Sequence, residues 1–297
     1  MRKVSIALYC FFVALTINIS AQSYQYPQVP DSITDRHDRV LFLATHFWDD
    51  GKAFDSTLFE TPKCMLDYLY LLNNLTQTES NNVLKRMMDN VANSKSINVI
   101  LFWFEHYLHD CRSPLYNDEL YLALTEIVLA ADIEEWTKLR MRSTVDILRR
   151  NRIGYPAEDF VYTTIDGEKR SLYSIQSPLT LVFFHNPDCS LCFRAESILS
   201  VNDTITELLR NNKMRILAMI PQNDSVLLKN HHYDENWDVG YDKDVTIFSN
   251  RLYDIQTLPS MYLLNEQKEV IVKEADYNRI VAAMREQIEK NGWSIGF

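Results

Sequence analysis

Two cysteines three positions apart, Cys189 and Cys192, are the residues whose type and spacing most directly suggest chemistry. They end the stretch Asn186-Pro187-Asp188-Cys189-Ser190-Leu191-Cys192, which joins the apolar run Leu179 to Phe184 to a segment of helical spacing, Ala195 to Leu209. Thiols at i and i+3 of a helix start can close a small disulfide ring. The first of them meets the free amides and positive dipole end that favour a thiolate. The pattern therefore predicts Cys189 as a nucleophile and Cys192, one turn in and buried, as the thiol that resolves a mixed disulfide.

Other groupings are weaker. A zinc site at this pair needs two more ligands, and no second CxxC exists. His231, His232 and Asp234 read as a solvated polar loop, and His106 and His109 as core or cap residues on one helix face, so no metal is expected. Cys64 and Cys111 lie on different predicted helices, 47 positions apart. They are open to two readings, a bridge that closes a long loop or two separate buried thiols.

The elements that must position these residues fall into two stretches. Residues 31–150 read as an all-helical domain, with apolar residues at helical spacing in Asp35–Phe47, Met65–Leu75, Tyr116–Leu129 and Ile133–Arg149. Thr61-Pro62 reads as the start signal of the second. Ile97–His109 is apolar around most of its circumference and is expected at the centre of a bundle. From Ile153 the pattern changes. β-branched and aromatic Phe160–Ile165 leads to the turn Asp166-Gly167, and Leu179–Phe184 and Met214–Ile220 read as buried strands. Met261–Leu264 and Val270–Val272 flank a hairpin turn at Asn265–Lys268, and Tyr277–Lys290 closes the chain as a helix. The reading is a two-domain α+β chain, the second domain (153–297) being a mixed sheet flanked by helices.

Residues 1–21 read as a signal peptide: Arg2 and Lys3, an apolar run from Val4 to Ile17, and a small residue at Ala21. The expectation is a periplasmic or secreted protein. The alternative is an anchor at the outer face of the inner membrane by an uncleaved segment, though the run falls short of the roughly 20 residues of a bilayer helix, so no stable span is expected after cleavage. Loss of Arg2 and Lys3 takes the formal charge from −10 to −12. That charge, without a basic run, excludes nucleic acid as a partner. Four cysteines in the mature chain are too few for a disulfide scaffold.

Residues 153–290 resemble the TlpA-type thioredoxin-like proteins, exported thiol–disulfide oxidoreductases of bacteria. The likeness rests on Ile153-Gly154-Tyr155-Pro156-Ala157-Glu158-Asp159-Phe160, on Asp166-Gly167 before Ser171-Leu172, on Leu181–Phe184 ahead of the CxxC, and on Leu258-Pro259-Ser260. It implies a thioredoxin-like fold in which Pro259 follows a cis peptide bond and faces the cysteine pair. The backbone of Leu258 is then free to pair with an extended substrate segment. Proline suits that place because a cis X-Pro bond costs only about 0.5–1 kcal/mol. The helical region resembles a poorly characterised domain found ahead of such domains in Bacteroidota, chiefly at Leu43-Ala44-Thr45-His46-Phe47-Trp48.

Two departures bear on mechanism. Asp188 stands where thioredoxins carry tryptophan, which opposes thiolate formation at Cys189, and Phe183 stands where many bury an acid. Ser190-Leu191 does not fix the direction of exchange. The expected activity is disulfide exchange with protein thiols of the periplasm through Cys189 and Cys192, without a bound cofactor and with an electron-donor or -acceptor protein as second partner. The competing expectation is a redox-inactive scaffold in which Cys189–Cys192 is a structural disulfide.

Overall fold

The structure, a computed structural model, describes residues 24–49, 63–94 and 96–294. The signal segment and the Thr61-Pro62 start signal lie outside them. The N-terminal part is helical: α1 (Arg36–His46), α2 (Lys63–Leu72), α3 (Gln77–Val91), α4 (Ile97–Leu108), α5 (Asp118–Ala130) and α6 (Glu135–Leu148). Local chemistry sets their ends. Asp35 accepts from the Asp38 amide at the start of α1, and Thr76 with Glu79 forms a reciprocal capping box at the start of α3. α4 is not the bundle centre. Ile100, Leu101, Phe104 and Leu108 are buried, but Val99 and Phe102 are exposed, because among the described residues one face of the helix has no neighbour to cover it. α5 instead touches α3, α4 and α6.

The second part builds a seven-stranded mixed sheet from β1 (Val161–Thr163), β2 (Lys169–Ser171), β3 (Leu179–Phe184), β4 (Met214–Ile220), β5 (Asp238–Tyr241), β6 (Ser260–Leu264) and β7 (Val270–Ala275), in the order β2-β1-β5-β4-β3-β6-β7. β3, β4 and β5 run parallel, whereas β6 is antiparallel to β3 and to β7. Period-two alternation divides β3 between two cores. Leu179, Leu181 and Phe183 face the layer of α7 (Ser190–Val201), α8 (Asp203–Arg210) and α11 (Tyr277–Asn291), while Val182 and Phe184 pack with Phe160, Leu172 and Tyr253 on the other side. Short helices α9 (Ser225–Asn230) and α10 (Thr246–Ser249) lie in the connections around β5.

The helical segment read as continuous through Leu209 is two helices. Asn202 ends α7 in an extended conformation and its side chain accepts the Ile205 amide, so it caps α8. Among the described residues, no helix is long and apolar enough to cross a membrane.

Candidate functional site

β3 delivers the chain to the cysteines. Its last residue, Phe184, pairs with Ser260, the first of β6. The segment after β3 and the segment before β6 therefore emerge at the same end of the sheet. The first carries Cys189 and Cys192, and the second carries Leu258–Pro259, whose peptide bond is cis.

Between Phe184 and the helix, His185 is fully buried with its ring stacked 4.8 Å from that of Phe183. Asn186 then closes a turn: its side-chain oxygen accepts the Asp188 amide at 2.9 Å and its carbonyl accepts the Cys189 amide at 2.9 Å. Asp188 points to solvent. The turn leaves half-buried Cys189 as the N-cap of α7 in an extended conformation (φ −90°, ψ 121°).

At that position the Cys189 thiol is held below its ordinary pKa, first by the backbone N–H of Cys192; burial opposes this, and the Cys192 side chain and the Leu191 amide add to the lowering. The opposing effect expected of Asp188 does not prevail. Cys192 is fully buried. Burial pushes its thiol up to about 12, the charges of Cys189 and Glu196 add to this, and the Asn186 amide, 3.4 Å from Sγ, offsets it in part. An accessible acidic thiol thus stands beside a buried, reluctant one.

The acid absent at Phe183 has a counterpart elsewhere. Glu196, one turn beyond Cys192 on the same face of α7, is buried, and both carboxylate oxygens lie 2.8 and 2.9 Å from Nε2 of His231. His231, read from sequence as solvated, ends α9 and reaches α7 instead. Tyr233 packs its ring on both His231 and His185, and its hydroxyl is 3.4 Å from Nε2 of His185. Burial, then the nearby His231, lowers the His185 pKa to about 3 and keeps that ring neutral. Around the pair, Leu191 and Phe193 are 63% and 59% exposed.

None of the four described cysteines is joined in a disulfide. The expected Cys189–Cys192 disulfide is absent, the two residues standing instead as thiols. The possible Cys64–Cys111 bridge is absent as well: Cys64 packs in the helical core, while Cys111 Sγ lies 3.7 Å from Thr257 Oγ1 of the sheet domain.

Comparison with known proteins agrees with this architecture. Residues 12–151 match the family described as a domain of unknown function (DUF5106). A thioredoxin-like protein from Bacteroides caccae is 27% identical and superposes with a TM-score of 0.81, over 89% of this chain and 99% of its own. Two shorter structures match just under half of the chain. The C-terminal domain of an uncharacterized protein from Bacteroides fragilis is 31% identical over 46% of this chain and 98% of its own, with a TM-score of 0.44. The thioredoxin domain of a thiol-disulfide oxidoreductase from Bacteroides vulgatus is 18% identical over 47% of this chain and 97% of its own, with a TM-score of 0.37. No curated protein matches the chain. The chain has a thioredoxin-like fold behind an N-terminal helical region.

Proposed function

We propose that the protein is an exported thiol–disulfide oxidoreductase of the periplasm that acts on protein disulfides through Cys189 and Cys192. In the reductive direction the Cys189 thiolate attacks one sulfur of a substrate disulfide. That S–S bond breaks, and the other substrate sulfur leaves as a thiolate and takes a proton from water. Cys192 then passes its proton to the Glu196 carboxylate and attacks Cys189 Sγ. The mixed disulfide breaks, the second substrate sulfur leaves, and two electrons have moved from the pair to the substrate. The reverse sequence oxidises a dithiol. Electrons pass between sulfurs throughout, so the exchange requires no cofactor, and a second protein must restore the pair. Leu191 and Phe193 favour a cysteine with apolar neighbours, as in an unfolded or extended chain, and the Leu258 backbone receives that chain.

The observation that carries this reading is the contrast within the pair: an accessible thiol of lowered pKa at a helix N-terminus over a buried thiol raised to about 12. A Cys192→Ser protein expressed with its signal segment is expected to accumulate mixed disulfides with periplasmic proteins, read as reductant-sensitive adducts on a gel. If it traps none while Cys189 stays accessible to alkylation, the pair is not an exchange centre.

A further inference from the structure

A second set of charged side chains is buried between the helical region and the sheet. In β7 the register with β6 slips between Met261 and Leu263, and Glu274 takes the left-handed backbone (φ +46°). A bulge of this kind breaks the alternation of a strand, and here Lys273 and Glu274, neighbours in sequence, are both buried (3% and 4% exposed). Lys273 Nζ is 2.7 Å from Asp118 of α5. Asp118 also accepts from the Tyr116 hydroxyl (2.8 Å) and lies 2.9 Å from Nδ1 of His109, at the end of α4. His109 Nε2 is 3.5 Å from Asp254. Burial, with the charges of Asp118 and Asp254, holds Glu274 well above the usual carboxylate range. Asp118 and Asp254 then face Lys273 and His109 around Glu274.

This cluster grips the segment that leads into Leu258–Pro259. The Gln256 side-chain amide donates to the His109 carbonyl (2.8 Å), to Glu274 (3.0 Å) and to Asp254 (3.1 Å). The Tyr262 hydroxyl holds the Asp254 carbonyl (2.8 Å), and Cys111 rests against Thr257. Between Ser249 and Ser260 the chain forms no helix or strand, so these side-chain contacts tie the loop to the end of α4 and to β6 and β7.

We propose that this cluster is a brace by which the helical region sets the position of the Leu258–Pro259 loop for protein disulfides, with His109 and Gln256 as positioning residues. The proposal rests on the exchange reading above and gives the helical region a part in it. A peptide disulfide must lie along the Leu258 backbone while it reacts, whereas a small disulfide needs only Cys189. Displacements of about 1 Å at a distance can cost about 100-fold in a positioned reaction.

The brace is sensitive to pH through His109. The charged and titratable groups facing it are Asp118 and the stacked Tyr121 ring of α5, Asp254 of the loop and Glu105 of α4, while Lys273 and Glu274 of β7 reach it through Asp118 and Gln256. Burial alone lowers its pKa, but the hydrogen bond and charge of Asp118, with Asp254 and Glu105, raise it overall. His109 therefore keeps its charge below this elevated value, and its ion pairs are lost as pH rises through it.

The test compares two rates on the full chain: reduction of an unstructured peptide with an internal disulfide, and reduction of 5,5′-dithiobis(2-nitrobenzoate). Their ratio cancels the thiolate fraction of Cys189. Gln256→Ala is expected to lower the ratio about tenfold, and in the unmodified protein the ratio is expected to fall as His109 loses its proton, a step that His109→Gln removes. A ratio unchanged by Gln256→Ala and flat with pH overturns the brace and leaves the exchange reading standing. An unmodified protein that reduces neither disulfide overturns both. Should His109→Gln fail to fold, Gln256→Ala, at an exposed position, still decides.

Discussion

Cys189 and Cys192 share one turn of helix yet meet opposite environments, and their reactivity should differ accordingly. In the dithiol protein, alkylation of Cys189 by iodoacetamide is expected to titrate below an ordinary exposed thiol, with Cys192 protected throughout neutral pH. Equal labelling of the two, read by mass spectrometry, would contradict the asymmetry. In the proposed exchange Glu196 serves the second step. Glu196→Gln keeps the shape of the side chain but removes the proton acceptor, so a mixed disulfide at Cys189 should form at the normal rate and resolve more slowly, by about 10-fold or more. Quench-flow separation of the two steps reads this directly, and slowing of the first step alone would contradict it. The pair was legible in the sequence because both cysteines lie in one seven-residue stretch after a buried strand. The pairing of Glu196 with His231 was not, since 35 positions separate them and two adjacent histidines in a polar loop carry no periodicity to say which one turns inward.

The elements that carry these residues are held by different physics at the two ends of the sheet's midline. β3 and β4 are buried on both faces, and continuous apolar runs reveal such strands. β5 was missed: Asp238-Val239-Gly240-Tyr241 is short and half polar, and its glycine is needed because a Cβ at Gly240 would stand 2.4 Å from the Tyr162 ring. The division between α7 and α8 was hidden because the apolar spacing runs on through Asn202, while the break depends on that residue serving as a cap. α3 was overlooked amid polar residues, although its Thr76–Glu79 box was present in the sequence. The bulge in β7 was also beyond reach, because it is fixed by partners on α4 and α5. Its energetic weight can be measured. Lys273→Met leaves Asp118 buried beside His109 without its lysine, and the urea midpoint should fall by the equivalent of about 3 kcal/mol. The double variant Lys273→Met with Asp118→Asn should recover part of that loss. A single variant as stable as the parent would mean that the buried pair contributes nothing to holding the two parts together.

At the scale of the molecule, the helical region is joined to the sheet along more than one seam. Besides the buried cluster, Asn151 donates to the Leu252 carbonyl at 2.7 Å and Arg150 to that of Asn250 at 3.2 Å, while Arg251 reaches back to the Ser143 carbonyl. These contacts converge on the connection from α10 to β6, the one that ends in Leu258–Pro259. The boundary between helical and strand patterning was legible at Ile153, but the docking was not, because it is made by single polar residues scattered across both parts. The account as a whole depends on the cysteine pair cycling between dithiol and disulfide. The most direct measurement is its reduction potential, from equilibration in a glutathione series with free thiols counted by mass spectrometry. The account predicts reversible cycling at a potential between about −270 mV, as in a reductant, and about −120 mV, as in an oxidant. A pair that never cycles, or whose potential lies far below about −300 mV, would be structural, and the exchange function would be contradicted.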